Sequence, residues 1–131
     1  MPTHRFRARH RISHARDYHA VFNARSAKSR GPLTVFLLPT NHPEHRLGLS
    51  IGKRVGGATV RVRLKRAIRE SIRLDRPVYP SPSSCRSYDI VISARRHKPL
   101  SLQDYRSHIK TAIESSHREL EHRSQQIDRS T

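Results

Sequence analysis

The apolar positions of this chain keep a helical rhythm in three stretches and a strand rhythm in three others. Tyr18 and Phe22 stand four apart with Val21 beside them, a spacing that puts side chains on one helix face. Ser13 is a capping residue and Asp17 suits the positive end of a helix, which predicts a helix over 13–24. Residues 25–32 contain Ser, Lys, Arg and Gly-Pro and read as a loop. Leu33-Thr34-Val35-Phe36-Leu37-Leu38 reads as a strand that ends at Pro39. In the next strand, Leu47, Leu49 and Ile51 alternate with Gly48, Ser50 and Gly52. One face of it packs on a core, while the other is nearly bare backbone that another chain can approach.

Residues 58–74 carry the strongest helical pattern. Val60, Leu64, Ala67, Ile68, Ser71 and Ile72 fill an arc of about 140° at 100° per residue. Arg63, Lys65, Arg66, Arg69 and Arg73 lie across the opposite side, with Glu70 as the one acid among them. Like charges at these spacings disfavour an isolated helix, so the one-sided charge points to a polyanion contact. Residues 75–86 hold three prolines and read as a loop. Tyr88 to Ala94 is a β-branched run suited to a buried strand. Ser101 with Asp104 resembles a capping box, and Tyr105, Ile109, Ala112, Ile113, Ser116 and Leu120 give the last helix a core-facing stripe. The order is α-β-β-α-β-α with room for one more short strand. This predicts an α+β single domain over 13–120, preceded by a basic arm (1–12) and followed by a polar tail (121–131) expected to fray.

Composition narrows the class. The chain has 131 residues, with 27 Lys+Arg against 10 Asp+Glu, a formal net charge of +17. Leu, Ile, Val and Phe make up 22% of it, just above the roughly 20% below which a highly charged chain is usually disordered. A small core is therefore expected, working against its own charge repulsion. Of the basic residues 22 are Arg, whose planar fork suits phosphates and base edges. One cysteine, Cys85, implies no disulfide. No apolar run approaches the roughly 20 residues that span a bilayer, and the basic N-terminus lacks the apolar stretch of a secretory signal. A cytoplasmic protein with a polyanion partner, nucleic acid first and an anionic membrane surface second, is the expectation.

Enzymatic chemistry from the chain itself has little support. The ten histidines form no His-Glu-x-x-His pattern and accompany no cysteine pair, so no metal site is predicted. The acids are scattered singly or lie in the last helix, which does not suit a two-metal nuclease.

The run Arg46-Leu-Gly-Leu-Ser-Ile-Gly-Lys-Arg-Val-Gly-Gly-Ala-Thr-Val-Arg-Val-Arg-Leu-Lys-Arg-Ala-Ile-Arg-Glu70 resembles the signature of the bacterial ribonuclease P protein subunit, approximately R-x-G-L-x-V-x-K-K-x-G-N-A-V-x-R-N-R-x-K-R-x-x-R-E. Asp17-Tyr18 with Phe22, the strand from Tyr88 to Arg95 and the final helix extend the resemblance over nearly the whole chain. It implies an α/β sandwich whose βαβ crossover, through the Arg-rich helix, is left-handed, a hand that about 98% of such connections avoid. It also implies a protein that assists a catalytic RNA in removing the 5′ leader from precursor tRNA, binding the leader and lowering the Mg²⁺ requirement. The RNA would hold the Mg²⁺ and perform the hydrolysis, with no catalytic residue or cofactor on the protein. Carried over by position, Tyr18, Phe22, Phe36, Ser50 and Arg54 would bind the leader. Lys53, Arg61, Arg63, Lys65, Arg66, Arg69 and Arg73 would face the catalytic RNA. Val62, Gly57 and Arg54 depart from the family's Asn, Asn and Lys. The alternatives are a ribosomal or other structural RNA-binding protein, and a DNA-binding regulator. The latter lacks a visible helix-turn-helix partner or dimerisation segment.

A cationic surface of this kind sets a salt dependence. Engaging about six phosphates gives a slope of log affinity against log salt of about −5. Filter binding to RNA across a salt series measures that slope, and a nearly salt-independent affinity contradicts the electrostatic account.

Overall fold

A computed structural model of the chain describes residues 8–130. Strands β1 (Lys28–Arg30), β2 (Leu33–Thr40), β3 (Arg46–Ser50) and β4 (Ser87–Ala94) form one sheet in the order β1-β2-β4-β3. Helices α1 (Ala15–Asn23), α2 (Ala58–Asp75) and α3 (Leu102–Ser130) flank it. The β1/β2 and β2/β4 pairs are antiparallel, whereas β3 runs parallel to β4. A parallel pair needs a long crossover, and α2 supplies it. The predicted α+β architecture is the observed one.

Period-two alternation splits the sheet's side chains between two cores. Leu33, Val35 and Leu37 of β2, Leu47 of β3, and Tyr88, Ile90 and Ile92 of β4 pack beneath α2 and α3. There they meet Leu64, Ile68, Ile72, Ile109 and Ile113. On the other face Val91 packs with Ile12 and Val21, flanked by Tyr18, Phe22, Phe36 and Leu38. Since β4 is covered on both faces, its apolar run is continuous, as the sequence predicted. Among the described residues no helix is long and apolar enough to cross a membrane.

Several boundaries differ from expectation, each for a local reason. The predicted loop over 25–32 contains β1, joined to β2 by a two-residue turn in which Gly31 takes φ +55°. β2 runs through Pro39 to Thr40. Leu37 turns both its N–H and its C=O to Ser26 Oγ and away from β4. The Pro39 nitrogen, two residues on, faces the same way, where β1 has already ended and no donor is required. β3 ends at Ser50, and Lys53–Val55 form a 3₁₀ turn. The first helix starts at Ala15, with His14 and not Ser13 at its cap position.

The arm predicted over 1–12 is shorter than that. Ile12 is buried and donates its N–H to Leu47 O at 2.9 Å, and Arg11 bridges Leu47. Residues 1–7 of it lie outside the described residues. The tail predicted to fray from 121 instead continues α3 to Ser130. Glu121 accepts hydrogen bonds from the backbone and hydroxyl of Ser83, which ties the helix to the 79–86 loop. The capping-box reading holds in half, since Asp104 N–H donates to Ser101 Oγ at 3.1 Å.

Two buried imidazoles make this fold acid-sensitive. His45 accepts the Tyr88 N–H on Nδ1 at 2.9 Å, and burial, with Arg76 nearby, holds its pKa below the ordinary 6.5. Burial also lowers His10, against the opposing pull of Glu44. Both resist protonation in the native state and accept it once unfolded. Stability is therefore full above pH ~6.5 and falls as the pH drops through the folded-state values. Urea midpoints at pH 7.5 and 5.5 test this. His45→Gln, which keeps an acceptor without titrating, should shrink the difference.

Candidate nucleic-acid interface

The sheet register sorts the α1-side residues into three rows. Leu38, Asp89 and Arg46 are aligned across β2, β4 and β3; the next row is Phe36, Val91 and Gly48; the last is Thr34, Ser93 and Ser50, extended by Ser29 on β1. In the first row Arg46 clamps Asp89 with two hydrogen bonds, at 2.8 and 2.6 Å. Its guanidinium also lies 3.7 Å from Asp17 of α1. Asp89 holds the Arg46 pKa above its ordinary value, by hydrogen bonding first and charge second.

The second row carries the aromatics. Tyr18 and Phe22 occur one helical turn apart on α1, and both are half-buried. Phe22 meets Phe36 edge-to-face, with ring centroids 4.8 Å apart. Tyr18 lies against Gly48, where a Cβ would come within 2.6 Å of its ring. The bare strand face expected from the Gly/Ser alternation is thus used twice: Gly48 admits Tyr18, and Ser50 remains exposed.

The third row lacks such a cover. Ser29 and Thr34 hydroxyls bond each other at 2.9 Å. A cavity of about 440 Å³ is lined by Ser29, Thr34, Ser93 and Arg95. Lys53 and Arg54, both exposed, follow β3 directly. Aromatic edges, a hydroxyl floor and flanking cations together suit an unpaired strand, with bases against rings and phosphates against Arg and Lys.

Helix α2 divides its cations among three directions. At 100° per residue, Arg66, Arg73 and Val62 point away from the buried stripe of Leu64, Ile68 and Ile72. Val62 is 45% exposed, so the apolar departure from the resembled signature stands in the cationic face. On one flank Lys65 and Arg69 join Arg11, Ile12, Tyr18 and Leu49 around a cleft of about 110 Å³ at the β3 edge. On the other, Arg63 borders a separate pocket. Val60, expected in the apolar arc, is 41% exposed. Arg61 is half-buried, with its Nε partnerless.

Arg73 differs from the rest, since Glu70 holds it through two hydrogen bonds at 3.0 and 2.5 Å. Among the described residues no carboxylate pairs with Lys53, Arg54, Arg61, Arg63, Lys65, Arg66 or Arg69. The N-terminus of α2 adds to this field. It has Gly57 at the cap, no acid in its first turn, and hence no compensation of the positive helix end. Among the described residues no three His, Cys, Asp or Glu side chains are grouped to hold a metal ion.

The sequence reading placed Lys65 and Arg69 with the other α2 cations, whereas the structure puts them beside Tyr18. It did not single out Thr34, Ser93, Ser29 or Arg95. Alternation from Phe36 and Val91 places Thr34 and Ser93 on the α1 side, but their meeting with Ser50 depends on strand order.

Comparison with known proteins gives one consistent answer. Residues 6–117 match the family model described as Ribonuclease P. The ribonuclease P protein component of Lactococcus lactis is 30% identical over 108 residues, covering 82% of this chain and 87% of that one. The Streptococcus thermophilus component is 32% identical over 101 residues, 76% of this chain and 86% of that one. Among solved structures, the RNase P protein of Staphylococcus aureus superimposes with a TM-score of 0.68 at 21% identity, covering 82% of this chain and 94% of that one. That of Thermotoga maritima gives 0.68 at 23%, covering 79% and 94%.

The Tyr18–Gly48 contact generates a coupled prediction. Gly48→Ala forces the ring outward and should cost about 1–2 kcal/mol of stability, in the range for overpacking. In a Tyr18→Ala background the same change should cost little. Urea unfolding of the four proteins measures the coupling, and additive costs would disprove the contact.

Proposed function

The chain belongs to the bacterial ribonuclease P protein family, and from that premise we propose that its α1 side takes the single-stranded 5′ leader of precursor tRNA while α2 faces the catalytic RNA. It is a subunit of the ribonuclease P holoenzyme, acting with the RNA subunit in tRNA 5′ processing. The observation that carries the leader assignment is the uncovered hydroxyl row of Thr34, Ser93 and Ser50 beside the half-buried aromatics of the adjacent row.

In this reading Tyr18, Phe22 and Phe36 offer ring edges and faces to unstacked leader bases. Ser50 and its row neighbours let the backbone pass close to the sheet. Arg54, with Lys65 and Arg69 at the β3 edge, neutralises leader phosphates. Lys53, Arg61, Arg63, Arg66 and the Glu70-held Arg73 dock the RNA subunit. No side chain of the protein acts as catalyst; Mg²⁺ enters with the RNA, and the protein lowers the concentration needed by bringing positive charge to a crowded polyanion. A protein with an RNA partner and one unpaired cysteine fits the cytoplasm.

Cleavage of a 5′-extended precursor tRNA at low Mg²⁺, by RNase P RNA of the same organism, tests the reading. Protein should be required, and protein alone should be inert. Phe36→Leu, which keeps apolar packing but removes the ring, should raise KM for leader-bearing substrate about 5- to 100-fold, the range for losing one stacked base. Its affinity for leaderless tRNA should be unchanged. A full effect of wild-type protein with no leader-specific effect of Phe36→Leu would place the leader elsewhere.

A further inference from the structure

On the flank of α2 away from Tyr18 lies a pocket of about 150 Å³, lined by Val60, Arg63, Leu64, Ala67, His97, Pro99, Leu100 and Tyr105. Its volume is well below the roughly 300–1,000 Å³ of small-molecule sites, so it suits a single ring system. The walls are apolar apart from Arg63 and His97. His97 is pinned at both nitrogens, Nδ1 to Arg95 O and Nε2 to Tyr105 Oη, each at 2.8 Å. Leu100 N–H also donates to Tyr105 Oη, at 3.2 Å. These bonds hold the 95–100 segment as a rigid wall and leave the faces of the His97 ring to make contact.

One cationic side chain, the exposed Arg63 of α2, lines the pocket. Arg96 and Lys98, also exposed, adjoin His97 along the chain, while Arg95 lines the separate cavity beside Thr34 and Ser93. No acid lines the pocket. An apolar slot with no carboxylate in its lining and Arg63 in its wall, on the same helix that turns Arg66 and Arg73 outward, matches a nucleotide, with the base inside and its phosphate on Arg63.

We propose that this pocket receives one unstacked nucleobase of the RNA seated on α2, an inference that rests on the α2 assignment above. Because both His97 nitrogens are already bonded, few groups remain to read a base edge. Recognition is by ring shape and stacking, and is tolerant of base identity.

The test is affinity for RNase P RNA across a salt series, with melting curves of each free protein. Val60→Ser removes an apolar wall at a 41%-exposed position, so the fold should persist. Ala67→Phe fills the slot from within. Each should weaken binding about 5- to 100-fold with the log–log salt slope unchanged, because a base contact is lost and no phosphate contact. Arg63→Ala should instead flatten the slope by about 1. Wild-type affinity in a folded Val60→Ser protein, or a loss accompanied by a changed slope, overturns the pocket. If Arg66→Ala changes neither affinity nor slope, the α2 assignment fails, whatever the pocket variants do. A photoreactive p-benzoylphenylalanine at Pro99 should crosslink to one unpaired nucleotide in the RNA complex; crosslinking only to duplex RNA or to protein overturns the proposal.

Discussion

Arg46 and Asp89 set the layout of the α1 side. The Asp89 side chain is 4% exposed in the middle of the sheet, where an unpaired carboxylate would be costly to desolvate. The bidentate guanidinium from the neighbouring strand answers that cost, and the geometry ties β3 to β4 in parallel register. Breaking such a buried pair from one side costs about 3–5 kcal/mol in general, because the other charge is stranded. Asp17, within reach of the same guanidinium, draws α1 over this end of the sheet. A nine-residue helix anchored there covers two rows of side chains. The third row of serine and threonine lies past its reach, so the open floor follows from where the ion pair stands.

The scarcity of acids shapes the surface in a related way. Most of the carboxylates are engaged where the structure needs them. Asp75 pairs with Arg106 to join α2 to α3, at 3.0 and 2.8 Å. Glu44 gathers Arg9, His10 and Arg76 around the β2–β3 loop, while Glu119 links α3 to Lys28. Little negative charge is left for the outer face of α2 or the turn that precedes it. The positive field is therefore the residue of an internal requirement as well as a feature of the interface. It falls on either side of one helix, beside Tyr18 on one flank and His97 on the other.

Much of the fold was legible from periodicity. Leu64, Ile68 and Ile72 announced the buried side of α2, and the continuous run Ile90-Val91-Ile92 announced a strand covered on both faces. The misreadings share a cause. Pro39 ends a strand only where its missing donor would be needed, and here that side of β2 has lost its neighbour. Ile12 looked like part of a free arm because its partner, Leu47, lies 35 positions on. Val60 sits on the apolar arc of α2, yet it borders the open pocket beside His97 and Leu100 and stays exposed.

Local pattern by itself determined the elements, the cationic side of α2, the Gly/Ser face of β3 and the motif that carries the family resemblance, because each depends on residues within a few turns or strand steps. Only the tertiary structure decided that Thr34, Ser93 and Ser50 share a row, that Lys65 and Arg69 stand beside Tyr18 while Arg63 faces away, and that His97 closes a pocket with α2. Those facts depend on strand order, register and helix rotation. These are set by the packing of two cores and one buried ion pair between residues far apart in the chain, which no local spacing records.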